Sequence, residues 1–257
     1  MRLAQRWLHR FAASLPRSPV QVGWLFNDEK NSVIFDAPER LKSADVNRRH
    51  AKSAARCPAV IALESRYFLI RCPFDISLQF TRSAEGEPKL ANMLGNSSPM
   101  RPKGLSRHVV LTPEGEWRYP DRPTLQIKLP YVFVSDAPVY LSQLPPFLHL
   151  LNEPWPGTLF GGRFPINVWP RPLMWAFEWH QTSKPLILKR GDPWFYVNFE
   201  TEPADRAVQL IQAESTPQLK SYMDSISESV LYVNQTFSLF KTAASRRPKK
   251  LLEPRRT

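Results

Sequence analysis

The chain has 257 residues, 42% of them hydrophobic and 23% charged, with 26 prolines against 9 glycines and a formal net charge of +12. A chain of this length buries enough surface to fold without a disulfide or a structural metal, and its tryptophans and modest charge exclude wholesale disorder. The excess of proline over glycine argues against a helical bundle and a Gly-rich nucleotide-binding α/β fold, and no apolar run is long enough for a membrane-spanning helix.

The basic side chains crowd the two ends, and the stretch between them is close to neutral. Residues 1–18 carry Leu3, Trp7, Leu8, Phe11 and Leu15 at helical spacing, with arginines on the other face until Pro16. This predicts an amphipathic basic helix that either docks on the body or serves as an organelle-targeting or membrane-surface segment. His9 and Arg10 break the apolar core that a secretory signal needs.

Residues 19–215 read as one β-rich domain. Strands are expected at 20–26 and 32–35, followed by a basic helical or irregular segment over 40–56 that includes Arg48, Arg49, Lys52 and Arg56. Further β-like runs stand at 59–63, 67–71 and 75–81. Residues 82–106, rich in Ser, Gly, Asn and Pro, carry no apolar period and read as a long surface loop. Strands resume at 107–111, 124–129 and 131–135, and prolines then crowd the chain up to Pro172, which calls for edges, corners and turns. The clearest strands are 173–180 and 194–201, where Trp175, Phe177, Trp179 and Phe195, Val197, Phe199 alternate with their neighbours; 185–189 supplies another between them. Short strands at this spacing predict an antiparallel jelly-roll or cupin-like barrel or sandwich with helices at both ends.

The last expected element is a helix over 216–242, opened by Thr216-Pro217. Leu219, Met223, Ile226, Val230, Val233, Phe237 and Phe240 follow at spacings 4, 3, 4, 3, 4, 3, a seam over three heptads. Such a seam docks on its own sheet or zips against a protein partner, a second copy included, and is expected to be the chain's interaction element. The basic tail 243–257 is expected to be disordered. Its Arg246, Arg247, Lys249 and Lys250 join Arg48, Arg49, Lys52 and Arg56 as candidate nucleic-acid contacts.

Few residues point to chemistry. Cys57 and Cys72 each stand in Arg-Cys-Pro and read as structural thiols in a reducing compartment. No nucleophile elbow, phosphate-binding glycine loop or zinc-protease motif occurs. Glu178 and His180 share one face of a strand, and with Lys184 and Asp192 they form a candidate polar pocket. Trp155, Trp169 and Trp194 stand in or beside Pro/Gly turns, where rings are placed to stack on a ligand such as a sugar.

The spacing Glu178-x-His180-x3-Lys184-x6-Gly191 resembles the first metal motif of the cupins. The resemblance implies a double-stranded β-helix, with any divalent metal on Glu178 and His180. The chain departs from that pattern: the acidic ligand position holds Lys184, whose ammonium has no lone pair, and no histidine follows His180. No cofactor is therefore expected. A wider likeness lies in Asn152-Glu153-Pro154-Trp155-Pro156-Gly157, Asn167-Val168-Trp169-Pro170 and Lys189-Arg190-Gly191-Asp192-Pro193-Trp194-Phe195. Arg71-Cys72-Pro73-Phe74-Asp75-Ile76 and Asn234-Gln235-Thr236-Phe237 add to it. These segments look similar to jelly-roll or cupin-like proteins of unknown function from tailed bacteriophages and bacteria. That resemblance implies a jelly-roll-like fold and a cytoplasmic setting, and assigns no catalytic residues. The expected role is a non-enzymatic binding or assembly protein. The alternatives are a metal-dependent cupin-type oxygenase or isomerase using Glu178 and His180, and a nucleic-acid-associated protein.

Overall fold

A computed structural model describes residues 18–27, 33–42, 53–149, 154–204, 206–229 and 236–255. The helix expected at 1–18, its last residue apart, falls outside them, as do Arg48, Arg49, Lys52, Val230 and Val233.

The fold is mainly β, a sandwich of curled sheets in keeping with the expected jelly-roll-like class. The first sheet contains β1 (Val20–Phe26), β6 (Val109–Leu111), β7 (Thr124–Val134), β9 (Gly157–Leu159), β11 (Pro172–Trp179) and β14 (Val208–Gln212). Its order is β14-β1-β7-β11-β9, with β6 beside β7. The second sheet contains β2 (Glu39–Arg40), β3 (Tyr67–Arg71), β8 (Val139–Leu144), β10 (Arg163–Pro165) and β13 (Pro193–Thr201), in the order β10-β8-β13-β3-β2. A third, smaller sheet sets β12 (Leu186–Leu188) and β5 (Pro88–Asn92) on either side of β4 (Ile76–Arg82). The pairings are antiparallel except that of β1 with β14.

The main core lies where alternating side chains of these sheets meet. Leu125, Ile127, Leu129, Tyr131 and Phe133 of β7 join Trp175, Phe177 and Trp179 of β11 and Phe195, Val197 and Phe199 of β13. Pro130 interrupts β7 without breaking it. Residues 125–127 pair with β6 and residues 131–134 with β1, while the ladder to β11 slips between Pro172 and Met174. The residue without an N–H thus sits where neither edge demands a donor, and the two strands expected at 124–129 and 131–135 are one.

A bulge reshapes the start of β13. Pro193 faces Arg71 and Phe195 faces Ile70, so Trp194 has no partner of its own, and Trp194 and Phe195 both enter the core.

Four regions differ from the sequence expectation. The run 59–63 is a helix, α1 (Pro58–Leu63), because Pro58 occupies a first-turn position that needs no N–H and the Cys57 carbonyl takes the Val60 and Ile61 N–H groups at 2.9 and 3.0 Å. Residues 33–35 lie outside any strand. The segment 82–106 is structured: β4 and β5 form a hairpin through Gly86, whose φ of 86° suits glycine, and α2 (Pro102–His108) follows.

The fourth difference is the C-terminal region. Where one helix is expected over 216–242, the described residues contain α3 (Pro217–Ser229) and α4 (Thr236–Arg246). The Tyr222 hydroxyl lies 2.9 Å from the Ala243 carbonyl, and Arg246 Nη1 donates to the Ser225 carbonyl at 3.1 Å. In one continuous helix, residues this far apart would be separated by about 30 Å, so the chain folds back. Leu219, Met223 and Ile226 of the seam pack with Ala243 on Leu25, Val132 and Val134, the outward side chains of β1 and β7. Leu219, Met223 and Ile226 are therefore spent on the chain's own sheet and are not exposed for the expected self-association, while the side chains of Val230, Val233 and Phe237 lie outside those described. Phe240 is half-buried beside Trp169.

The tail expected to be disordered is docked as well. Leu251 and Leu252 are buried in the same cluster, and Glu253 and Arg255 pair by backbone with Glu214 and Gln212 at 2.7 and 3.0 Å, covering the free edge of β14. Gly23 admits this crossing, since a Cβ there would meet Leu252 Cδ1 at 2.3 Å and Ala213 Cβ at 2.8 Å.

Candidate functional site

Glu178 stands near the end of β11 with its side chain 4% exposed, and three cationic or polar groups close around it. Arg118 Nε lies 3.3 Å from Oε2, while Arg122 Nη1 and His180 Nε2 lie 3.7 and 3.0 Å from Oε1. Both arginines come from the turns before β7 and also rest on exposed rings: Arg118 lies 5.5 Å from the Phe160 centroid and Arg122 lies 4.4 Å from that of Tyr119. The expected Glu178–His180 contact is present. The two arginines were not anticipated, because only the fold brings residues so far upstream to this strand end.

The rest of the expected pocket does not assemble. After β11 the chain does not return as a hairpin beside it, since β12 pairs with β4 in the third sheet. Lys184 is exposed, and its carbonyl accepts the Trp179 indole N–H at 3.1 Å. Asp192 lies exposed in the turn before β13, its carbonyl taking the Cys72 N–H at 3.0 Å. Nor does the site suit a metal. Guanidinium groups face both Glu178 oxygens, placing positive charge where a divalent cation would have to sit. Among the described residues no group of three His, Cys, Asp or Glu side chains is placed to hold one.

One of the expected stacking tryptophans, Trp194, is corrected by its burial. Trp194 is fully buried by the bulge, its ring 5.4 Å from Trp175, and Trp169 is 6% exposed beneath Phe240. Trp155 is half-buried and edge-on to Trp175.

Two of the expected nucleic-acid contacts, Arg246 and Arg247, are engaged within the fold. Arg246 bonds Ser225 and Ser229, and Arg247 Nε donates to the Asn167 carbonyl at 2.6 Å while its Nη2 pairs with Asp136. Arg56, Lys249 and Lys250 remain exposed.

A different set of cations converges instead. Arg101, Lys103 and Arg107 line a cleft of about 600 Å³ together with Arg190 from the turn between β12 and β13. Lys103 and Arg107 stand four apart on α2 and so share one face. Phe74 and Met100 form an apolar floor, and Ile34, 73% exposed, stands at the rim. Asp75 is the one acid among the lining residues described, and its Oδ1 already accepts the Arg190 backbone N–H at 2.8 Å. Among the described residues, none of the four cationic side chains has a hydrogen-bond or ion-pair partner. The signal in the sequence was Arg101-Pro102-x-x-x-x-Arg107, a first-turn proline opening a basic helix inside a segment otherwise read as loop.

No family model, curated protein or solved structure matches the chain. No helix among the described residues is long and apolar enough to cross a membrane.

Proposed function

We propose that this chain is a non-enzymatic binding protein whose ligand is a polyanion of the phosphate-backbone kind, held in the cleft between α2 and the β12–β13 turn. The observation that carries this reading is the convergence of Arg101, Lys103, Arg107 and Arg190 on one cleft without partners among the described residues. Folded proteins commonly offset such crowding with acids, yet among the described lining residues Asp75 is the one carboxylate set against four cations. Four cations on an apolar floor suit a chain of phosphates, each contact releasing condensed counterions. This moves the nucleic-acid reading from segment 40–56 and the tail to α2.

The test is fluorescence anisotropy of a labelled single-stranded oligonucleotide with the full chain. Four phosphate contacts predict an affinity that drops roughly fiftyfold between about 50 and 200 mM salt. Arg101→Ser, Lys103→Ser and Arg107→Ser combined should remove most binding, while Lys249→Ser with Lys250→Ser should change it little. No binding by the wild-type protein at low salt, or an undiminished triple variant, overturns the reading.

A further inference from the structure

A second cleft lies on the outward face of β11, opposite the core. Met174 and Ala176 form its floor, Leu239 and Phe240 of α4 one wall, and the β9–β10 turn with Phe160 and Phe164 the other. That turn lies tightly on β8, since a Cβ on Gly161 would strike the Gln143 carbonyl oxygen at 2.2 Å. The cleft encloses about 510 Å³ and continues into a neighbouring space of about 430 Å³ beside α3. Trp169, Arg171 and the residues 172–174 border both parts, so Arg171 stands where they meet.

The lining is aromatic and aliphatic apart from a few polar groups, and no acid is among the residues that border either part. Arg171 has no hydrogen bond or ion pair among the described residues. Arg171 is exposed, and desolvation by the neighbouring protein draws its pKa down. Gln143 supplies an independent sign. It is 7% exposed and borders the cleft, and its side-chain amide has no partner among the described residues. An exposed guanidinium and a nearby amide, neither with a partner among the described residues and both belonging to residues that border a largely apolar cleft, are what an amphipathic anion requires.

We infer that this cleft binds an alkyl carboxylate, with the carboxylate on Arg171, the Gln143 amide as a further polar contact, and the chain along Met174, Leu239 and Phe240. A guanidinium pairs with a carboxylate through two parallel hydrogen bonds, and the combined space is of the size that encloses small apolar ligands. The site is independent of the phosphate cleft, with which it shares no lining residue.

Isothermal titration of the full chain with decanoate and with decanol tests it. Decanoate should bind once per chain, and decanol at least about tenfold more weakly, as loss of a charge-assisted hydrogen bond requires. Arg171→Gln, at a side chain with no partner to lose, should bring decanoate down to the decanol level. Ala176→Phe, which fills the floor, should abolish both while thermal unfolding stays close to wild type. The Arg101/Lys103/Arg107 triple serine variant should bind decanoate normally, which separates this site from the phosphate cleft. Equal affinity for decanoate and decanol, an Arg171→Gln variant that binds like wild type, or no binding by the wild-type protein overturns the inference.

Discussion

Arg118 Nε and Glu178 Oε2 lie 3.3 Å apart with unequal access to water: the arginine side chain is 53% exposed and the glutamate 4%. Arg122 and His180, 39% and 40% exposed, approach the other oxygen. The carboxylate therefore depends on its neighbours for solvation, whereas each neighbour can turn to water.

That asymmetry predicts the order of damage on mutation. Glu178→Gln keeps the shape and removes the buried charge, so it should cost no more than about 1 kcal/mol. Arg118→Ala with Arg122→Ala leaves the buried carboxylate with His180 alone and should cost on the order of 3 kcal/mol. Urea unfolding of the three proteins checks this, and a double variant as stable as wild type would mean that Glu178 is solvated by another route. The same arrangement predicts no stoichiometric divalent metal in the purified protein; one metal per chain, lost in His180→Ala, would restore the metal-site reading.

The docked C-terminus makes a second prediction. Leu251 and Leu252 are 2% and 5% exposed against the helical layer, so Leu251→Ala or Leu252→Ala should each cost about 2–5 kcal/mol. In a disordered tail either change would be silent. Ile226→Asp, on the same layer, should unfold the protein and not merely shift a monomer–oligomer balance. Sedimentation and thermal melting together separate these outcomes.

A third prediction concerns base. Burial pushes the Cys72 thiol and the Tyr196 and Tyr222 hydroxyls up to about 12, and raises Tyr131 further. For groups whose folded pKa is raised, the stabilising contribution is fully present below the unfolded pKa and is lost as pH rises toward the folded one. Stability from these groups should therefore hold to about pH 9, the ordinary thiol range, and fall from there to about pH 12, each group adding a slope of about 1.4 kcal/mol per pH unit once its unfolded form ionises. Because Tyr119 and Tyr140 are exposed, the reading is taken by difference: the phenolate absorbance that Tyr196→Phe and Tyr222→Phe remove should appear together with loss of tertiary signal. Its appearance well before unfolding would show that these two tyrosines are less enclosed than the packing indicates.

Side-chain period alone was enough for most of the sheet framework. Val20–Phe26, Tyr67–Arg71 and the aromatic strands β11 and β13 stand where alternation places them, because a half-buried strand writes its two faces directly into the chain. The β class, and the contact between Glu178 and His180, follow from the same rule. Where local pattern admits two outcomes, tertiary structure decided. A heptad seam is equally served by a second copy or by the chain's own sheet, and here β1 and β7 present Leu25, Val132 and Val134 to it. A tryptophan beside Pro193 is exposed or buried according to a one-residue slip against β3, which no local signal marks. The clefts of Arg101–Arg190 and of Arg171 arise only when segments far apart in the chain meet, because a binding surface depends on which charges remain unpaired after folding, and pairing is a property of distance in space.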